Sequence, residues 1–457
     1  MIVLDRLFEL SARDTTVGRE VRGGVTTFMA MAYIILLNPI ILAGATDITG
    51  ARLDIGQLTT ATALAAAVST LLMAFIGNAP FGVAAGLGLN AVVAYQAAPH
   101  MTWAQAMGLV VLEGLVIILL AVSGVRRLIM DSIPLALKHA ISVGIGMFIT
   151  LIGLVDAGFV SGAGATPLQL GATGHLAGWP VTVFCFGLLL MIVLFVRKTP
   201  GAILLSIVIT AIVAIIVNAV ATIDPKQWGV VVPDVPEAVI SPPDFALIGA
   251  VDLFGGFATA GVVTASIVLF TLVLSGFFDA MGTIIGVADE ASLVDAQGRV
   301  PRLGAILTVD GVAGVVGGFC SASSNTVFVE SAAGVGEGAR TGLASVATGA
   351  LLGLTMLFTP LAEVVPAAAA APALVLVGAL MMTQSRNVPW EDLELAIPAF
   401  LTIALMPFTY SITNGVGAGV IAYTVVKAAR GKFAEIPWLL WVVSLIFLVY
   451  FAISGFF

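Results

Sequence analysis

SASSNTVFVESAAGV, residues 321–335, is the stretch that decides how this chain folds. Ser, Asn and Thr precede a single carboxylate, Glu330, and small residues follow it. The run is too short and too polar for an ordinary helix across a hydrocarbon core, which needs about 20 apolar residues. It suits a short extended segment entering a half-helix. Irregular backbone at membrane depth is tolerated only where it lines a cavity or is buried in protein. A matching element lies at 78–95, NAPFGVAAGLGLNAVVAY, where Pro80 and Gly82 favour an extended entry, Gly86 and Gly88 permit close approach, and Asn90 supplies an amide. The two are expected to pair as short strands and to present both half-helices to one site.

The rest of the chain supplies the membrane frame. Of 457 residues, 60% are hydrophobic and 10% charged, and mean hydropathy is +1.14, against about 25% charged in soluble domains. A soluble globular protein is excluded. Apolar runs lie near 24–43, 57–77, 81–97, 103–122, 137–156, 178–196, 201–220, 259–286, 303–319, 325–335, 341–360, 368–384, 393–412 and 415–429, with a further run at 438–457. The expectation is an all-α polytopic membrane protein with fourteen transmembrane segments, the spans at 81–97 and 325–335 being broken.

With the N-terminus cytoplasmic, sixteen of the 18 Lys and Arg fall on the cytoplasmic side and only Arg52 and Lys226 fall outside. Residues 1–23 form a cytoplasmic lead-in, too charged for a cleaved signal peptide. Residues 24–220 make a first seven-span unit, 221–258 a Pro-rich external linker, 259–432 a second unit and 433–457 an additional hydrophobic segment. Ile133-Pro134 and Val365-Pro366 each open a fifth span, and the broken spans are each third in their unit. Seven is odd, so the second unit is inverted relative to the first. Inverted repeats with paired broken helices are the arrangement of secondary transporters, with substrate held near the midplane.

Four carboxylates lie inside apolar runs: Glu113, Asp279, Asp310 and Glu330. Each costs about 2.5–3.5 kcal/mol at the bilayer centre on insertion scales, so each needs a reason. No Lys or Arg lies equally deep. Protonation, backbone hydrogen bonds or a wet cavity must compensate. Asp279 stands in LSGFFDAMGTIIG beside Phe277 and Phe278, a setting suited to a planar heterocycle bearing N–H donors. Asn325 and Thr326, ahead of Glu330, join the substrate set. All four carboxyls are proton-coupling candidates; for Glu113 and Asp310 a structural hydrogen bond is the stronger reading.

Other signals are negative. A net charge of −8 with scattered basic residues gives no nucleic-acid partner. Cys185 and Cys320 read as free thiols, and His100, His139 and His175 are isolated, so neither metal nor cofactor is expected. No nucleophile elbow or P-loop occurs, and no enzyme is expected. An anion exchanger of the same architecture should bring positive charge to the midplane, which this chain lacks.

GGVTTFMAMAYIILLNP (23–39), APFGVAAGLGLNAVVAY (79–95), FFDAMGTIIGVA (277–288), SSNTVFVESAAGVGEGARTGL (323–343) and AIPAFLTIALMPFTYSITNG (396–415) closely resemble the AzgA-like purine permeases of the nucleobase-ascorbate transporter family. The resemblance implies a core domain of spans 1–4 and 8–11, a gate domain of spans 5–7 and 12–14, and proton-coupled uptake of adenine, guanine or hypoxanthine. It places the family's acidic residues on Asp279 and Glu330, its span 3 amide on Asn90, and ligand-facing backbone N–H groups near Ala84 and Ala85. The inner (plasma) membrane is the expected location, and a homodimer through the gate domain is carried as an expectation. Xanthine or uracil is the alternative substrate.

Overall fold

The computed structural model describes residues 2–123, 134–163, 166–221, 223–290, 300 and 302–456. After a leading helix, Ile2–Phe8, the first apolar run divides into α1 (Val17–Met31) and α2 (Ile34–Gly44). α1 starts well before the apolar run because Thr16, in extended conformation, accepts a hydrogen bond from Arg19 N and caps it. α3 (Ile55–Leu72) is capped by Asp54 in the same way. Strand β1 (Val83–Ala85) then leads into the short α4 (Leu87–Val92), whose axis continues through a π turn to Ala97.

α5 (Trp103–Ser123) and α6 (Leu135–Asp156) follow. Beyond α6 the mostly helical chain adds a pair of strands outside the two broken spans: β2 (Val160–Ala163) and β3 (Thr166–Leu170) form an antiparallel hairpin. Its residues mix small, polar and isolated apolar side chains and are largely exposed, so no apolar run marked it. α7 (Trp179–Val196) and α8 (Ala202–Ala221) complete the first half.

The Pro-rich linker carries only short helical turns, and the second half opens with α9 (Val262–Glu290) and α10 (Leu303–Phe319). Strand β4 (Asn325–Val327) precedes the six-residue α11 (Ser331–Gly336). α12 (Gly342–Leu354), α13 (Ala367–Met382), α14 (Leu393–Phe408) and α15 (Ile412–Ala429) follow. The last run is α16 (Trp438–Phe456), which lies along α15: Phe447 fills the notch at Gly417, and the Ser444 and Thr424 hydroxyls are 2.7 Å apart.

Among the described residues, ten helices are long and apolar enough to cross a membrane, and Leu303–Phe319, Leu393–Phe408 and Trp438–Ala452 are shorter apolar helices. Arg126, Arg127 and Arg299, which enter the charge asymmetry, lie outside the described residues.

Packing partners recur in pairs. α5 packs on α10 and on α9, while α12 packs on α3 and on α1; α4 meets α9, and α11 meets α1. Likewise α7 packs on α13 and α8, while α14 packs on α6 and α15. α6 packs on α13, and β1 on β4. Where α5 crosses α10 the backbones touch through glycine. A Cβ on Gly114 would lie 2.5 Å from Val315 N, and one on Gly311 2.8 Å from Ile118 N. Small residues are what allow helices to pack this closely where lipid supplies no hydrophobic drive between them.

Side chains tie the helix ends. At the end carrying the N-terminus, buried Glu20 accepts hydrogen bonds from Arg340 N and Thr341 N at the start of α12, and Asn78 accepts from Gly342 N. At the opposite end, Asp47 accepts from Thr49, Ala51 and Trp103. Burial pushes the Asp47 carboxyl up, but these donors outweigh it and hold it below the usual carboxylate range.

Candidate functional site

The two polar stretches meet, as their composition predicts. β1 and β4 pair antiparallel with Val83 opposite Val327, Ala84 opposite Thr326 and Ala85 opposite Asn325. The flanking bonds Gly86 N to Ser324 O and Phe328 N to Gly82 O, each 2.9 Å, fix the alternation. Ala84 and Thr326 are therefore a hydrogen-bonded pair, with the Ala84 N–H directed at β4, whereas the N–H groups of Ala85 and Asn325 turn outward.

Neighbouring helices satisfy the crossing from outside. Thr70 of α3 exchanges hydrogen bonds with Val83 at 3.0 Å in both directions, and Ser331 accepts from Gly82 N at 3.0 Å. Asp310 of α10 accepts from the Thr326 hydroxyl at 3.1 Å and from Val327 N at 3.2 Å. Asn325 donates to Ser69 at 3.0 Å, and its carbonyl oxygen has no partner. Asn90, on α4, is fully buried with neither amide atom hydrogen-bonded.

The four carboxylates singled out in sequence come from four separate elements and gather around this crossing. Glu330 is the N-cap of α11 and accepts a hydrogen bond from the Tyr33 hydroxyl, presented where α1 gives way to α2. Asp279 on α9 interacts electrostatically with Glu330 on one side and with Asp310 on the other. Asp279, well inside α9, is exposed, and Glu330, at the start of α11, is half-buried. Glu113 of α5 is fully buried beside Asp310 and within reach of the Ser324 hydroxyl. It points at Gly276, where a Cβ would stand 2.5 Å from its Oε1. Gly276 and Asp279 are three apart and share one face of α9.

Phe277 does not share that face. It is 2% exposed and buried in the apolar cluster with Phe81, Val83 and Val327, because residues two apart on a helix point in different directions. It backs the strands and offers no open ring for stacking, which corrects that part of the expectation. The Phe278 side chain lies outside the described residues. Tyr33 is the partner that sequence reading missed; its one signal was being the sole tyrosine in the first span.

No salt bridge among the described residues involves any of the four carboxylates. Nor does any group of three or more His, Cys, Asp or Glu among them stand where it could hold a metal ion. A buried carboxylate without a cation needs a proton or hydrogen-bond donors. Chemically, such carboxyls can accept N–H groups of a small neutral ligand or take up protons.

The model of the Permease family (Xan_ur_permease) matches residues 18–417 of the chain. The guanine/hypoxanthine permease PbuG of Bacillus subtilis (strain 168) is 36% identical over 451 residues, covering 97% of this chain and 98% of that protein. The adenine permease AdeP of Escherichia coli (strain K12) is also 36% identical, over 98% of this chain and 95% of its own. Among solved structures, the transmembrane domain of the cyanobacterial bicarbonate transporter BicA superposes with a TM-score of 0.61 at 17% identity, covering 88% of this chain and 97% of that one. That likeness is one of fold.

Proposed function

Because the chain belongs to the Permease family, and is a multi-pass integral membrane permease, we propose that it imports purine nucleobases by proton symport, as a secondary transporter. The substrates are guanine, hypoxanthine or adenine, the bases named for its relatives. One observation carries the reading: the accessible pair Asp279 and Glu330, with the Tyr33 hydroxyl on Glu330, beside a crossing of two broken spans. A carboxylate accepts side-by-side N–H bonds from a purine edge. A proton on one carboxyl removes the cost of a second buried negative charge. Asn90, Asn325 and the outward amides near the strands supply the remaining polar contacts. Asp310 and Glu113 extend the carboxyl line away from that pair and serve as further proton-coupling candidates.

The packing pairs support fourteen spans in two inverted seven-span repeats. Advancing each partner by seven spans turns α5 on α10 into α12 on α3, α5 on α9 into α12 on α1, and α7 on α13 into α14 on α6. α6 on α13 and β1 on β4 map onto themselves. Spans 1–4 and 8–11 then move as a core against a gate of spans 5–7 and 12–14, carrying the site across by alternating access. The protein sits in the plasma membrane with its N-terminus cytoplasmic. The gate helices α7 and α8 keep most of their apolar surface bare, at 28% and 33% buried, facing lipid or, in a homodimer, a second copy. Anion exchange on the same fold is disfavoured by a site built of carboxylates.

Competition of labelled hypoxanthine uptake by unlabelled bases tests the assignment. Guanine and hypoxanthine carry a ring N–H that an ionised Glu330 accepts, joined in guanine by the adjacent exocyclic amine, and should compete best. Xanthine or uracil as the strongest competitor would shift the reading to that alternative.

A further inference from the structure

Toward the end of the molecule away from the N-terminus lies a cavity of about 210 Å³, between the last turns after α4, the start of α9 and the link from α14 to α15. Its α9 lining, Thr264, Ile267 and Val268, precedes Asp279 by 11 to 15 residues, roughly 16–22 Å of helix, so it is separate from the carboxylate site. Two tyrosines, Tyr95 and Tyr410, form one wall, their rings edge to face with centroids 5.6 Å apart. Tyr410 in turn packs edge to face on Phe148 at 5.2 Å, and its backbone is left-handed at φ +52°. That conformation is costly for a non-glycine residue and clusters at binding sites.

The polar lining is unfinished. Gln96 accepts a hydrogen bond from the Thr413 hydroxyl at 2.6 Å, and Thr413 lies 3.0 Å from the Thr271 hydroxyl. Gln96 is 8% exposed, and its Nε2 has no partner. Exchanging the amide atoms would still leave one end unpaired. Leaving a buried amide donor unpaired is costly, and a ligand with an acceptor in the cavity would remove that cost. His100 and Asn414 add polar contacts, and no Lys or Arg lines the space. Aromatic walls, an amide donor and no cation select a neutral planar ring and give no hold for an anion.

We infer that this cavity is a second binding site for a neutral planar nitrogen heterocycle, an entry subsite distinct from the carboxylate centre. The inference rests on the nucleobase reading above. It is tested with the purified full-length chain and labelled hypoxanthine at equilibrium, with Glu330→Gln used to disable the carboxylate site. The Glu330→Gln protein should keep weaker but saturable binding, and adding Gln96→Leu or the cavity-filling Thr264→Trp should weaken that residue of binding by about tenfold or more. Thr264→Trp leaves the Gln96–Thr413 bond in place and so guards against a folding artefact. Alone, it should raise KM for uptake with kcat unchanged. Absence of saturable binding to Glu330→Gln, or indifference of that binding to both added substitutions, overturns the entry subsite while leaving tight wild-type binding intact. A wild-type protein that binds no nucleobase overturns the functional reading with it.

Discussion

Glu330 and Asp279 come from two separate elements of the second half, and the only hydrogen bond from another side chain to Glu330 among the described residues comes from Tyr33. Glu330→Gln and Asp279→Asn should each leave the protein abundant in the membrane yet reduce hypoxanthine uptake by roughly ten- to hundredfold, the effect of losing a charge-assisted acceptor worth about 1.5–3 kcal/mol. Tyr33→Phe should weaken uptake less, because the carboxylate itself remains. Uptake assays normalised to surface protein decide this, and wild-type rates in either carboxamide variant would refute the site. Asp47 makes a separate prediction about stability. Its folded pKa lies below the ordinary value, so its contribution is complete above about pH 4 and is lost as pH falls through the lower folded pKa. Melting curves of wild type and Asp47→Asn should therefore differ most near neutrality and converge on acidification; a gap that widens in acid would contradict the assignment.

Elements, more than single side chains, set how much of this could be read in advance. The two broken spans were legible because Ser323, Asn325, Thr326, Gly82 and Gly86 interrupt apolar runs, and their strand pairing followed from there being two of them. Glu113, Asp279, Asp310 and Glu330 stood out for the same reason: charge inside an apolar run. What joins them is long-range and left no local trace. Asp310 bonding to Thr326 and Val327, and Glu113 facing Gly276, depend on how α10, α5 and α9 cross. The β2–β3 hairpin was invisible to a search for apolar runs, and Tyr33 looked like one more bulky residue in a span. The α5–α10 crossing carries the element-level prediction. Gly311→Leu places atoms where Ile118 N and Gly114 O already stand, and should part the helices that hold Glu113 and Asp310, lowering melting temperature and uptake together. Gly336→Ala, with nothing within 4 Å of the added Cβ, should behave as wild type in the same thermal-shift and uptake measurements.

At the scale of the whole molecule, a centre whose described charged groups are carboxylates, within a chain of net charge −8, fits the proposed neutral substrate and proton coupling. In the mechanism proposed above, a proton lowers the cost of gathering these buried carboxyls, and movement of the core would be tied to that protonation. A sodium cage would need several oxygen ligands held together, and the described site offers its carboxyls to Tyr33, Thr326 and backbone amides instead. The most direct test is uptake of labelled hypoxanthine into proteoliposomes of the purified chain with an acidic exterior and no sodium. The account predicts accumulation above the external concentration that collapses with a protonophore and is lost in Glu330→Gln. Equilibration without accumulation, or accumulation that persists in Glu330→Gln, would contradict it.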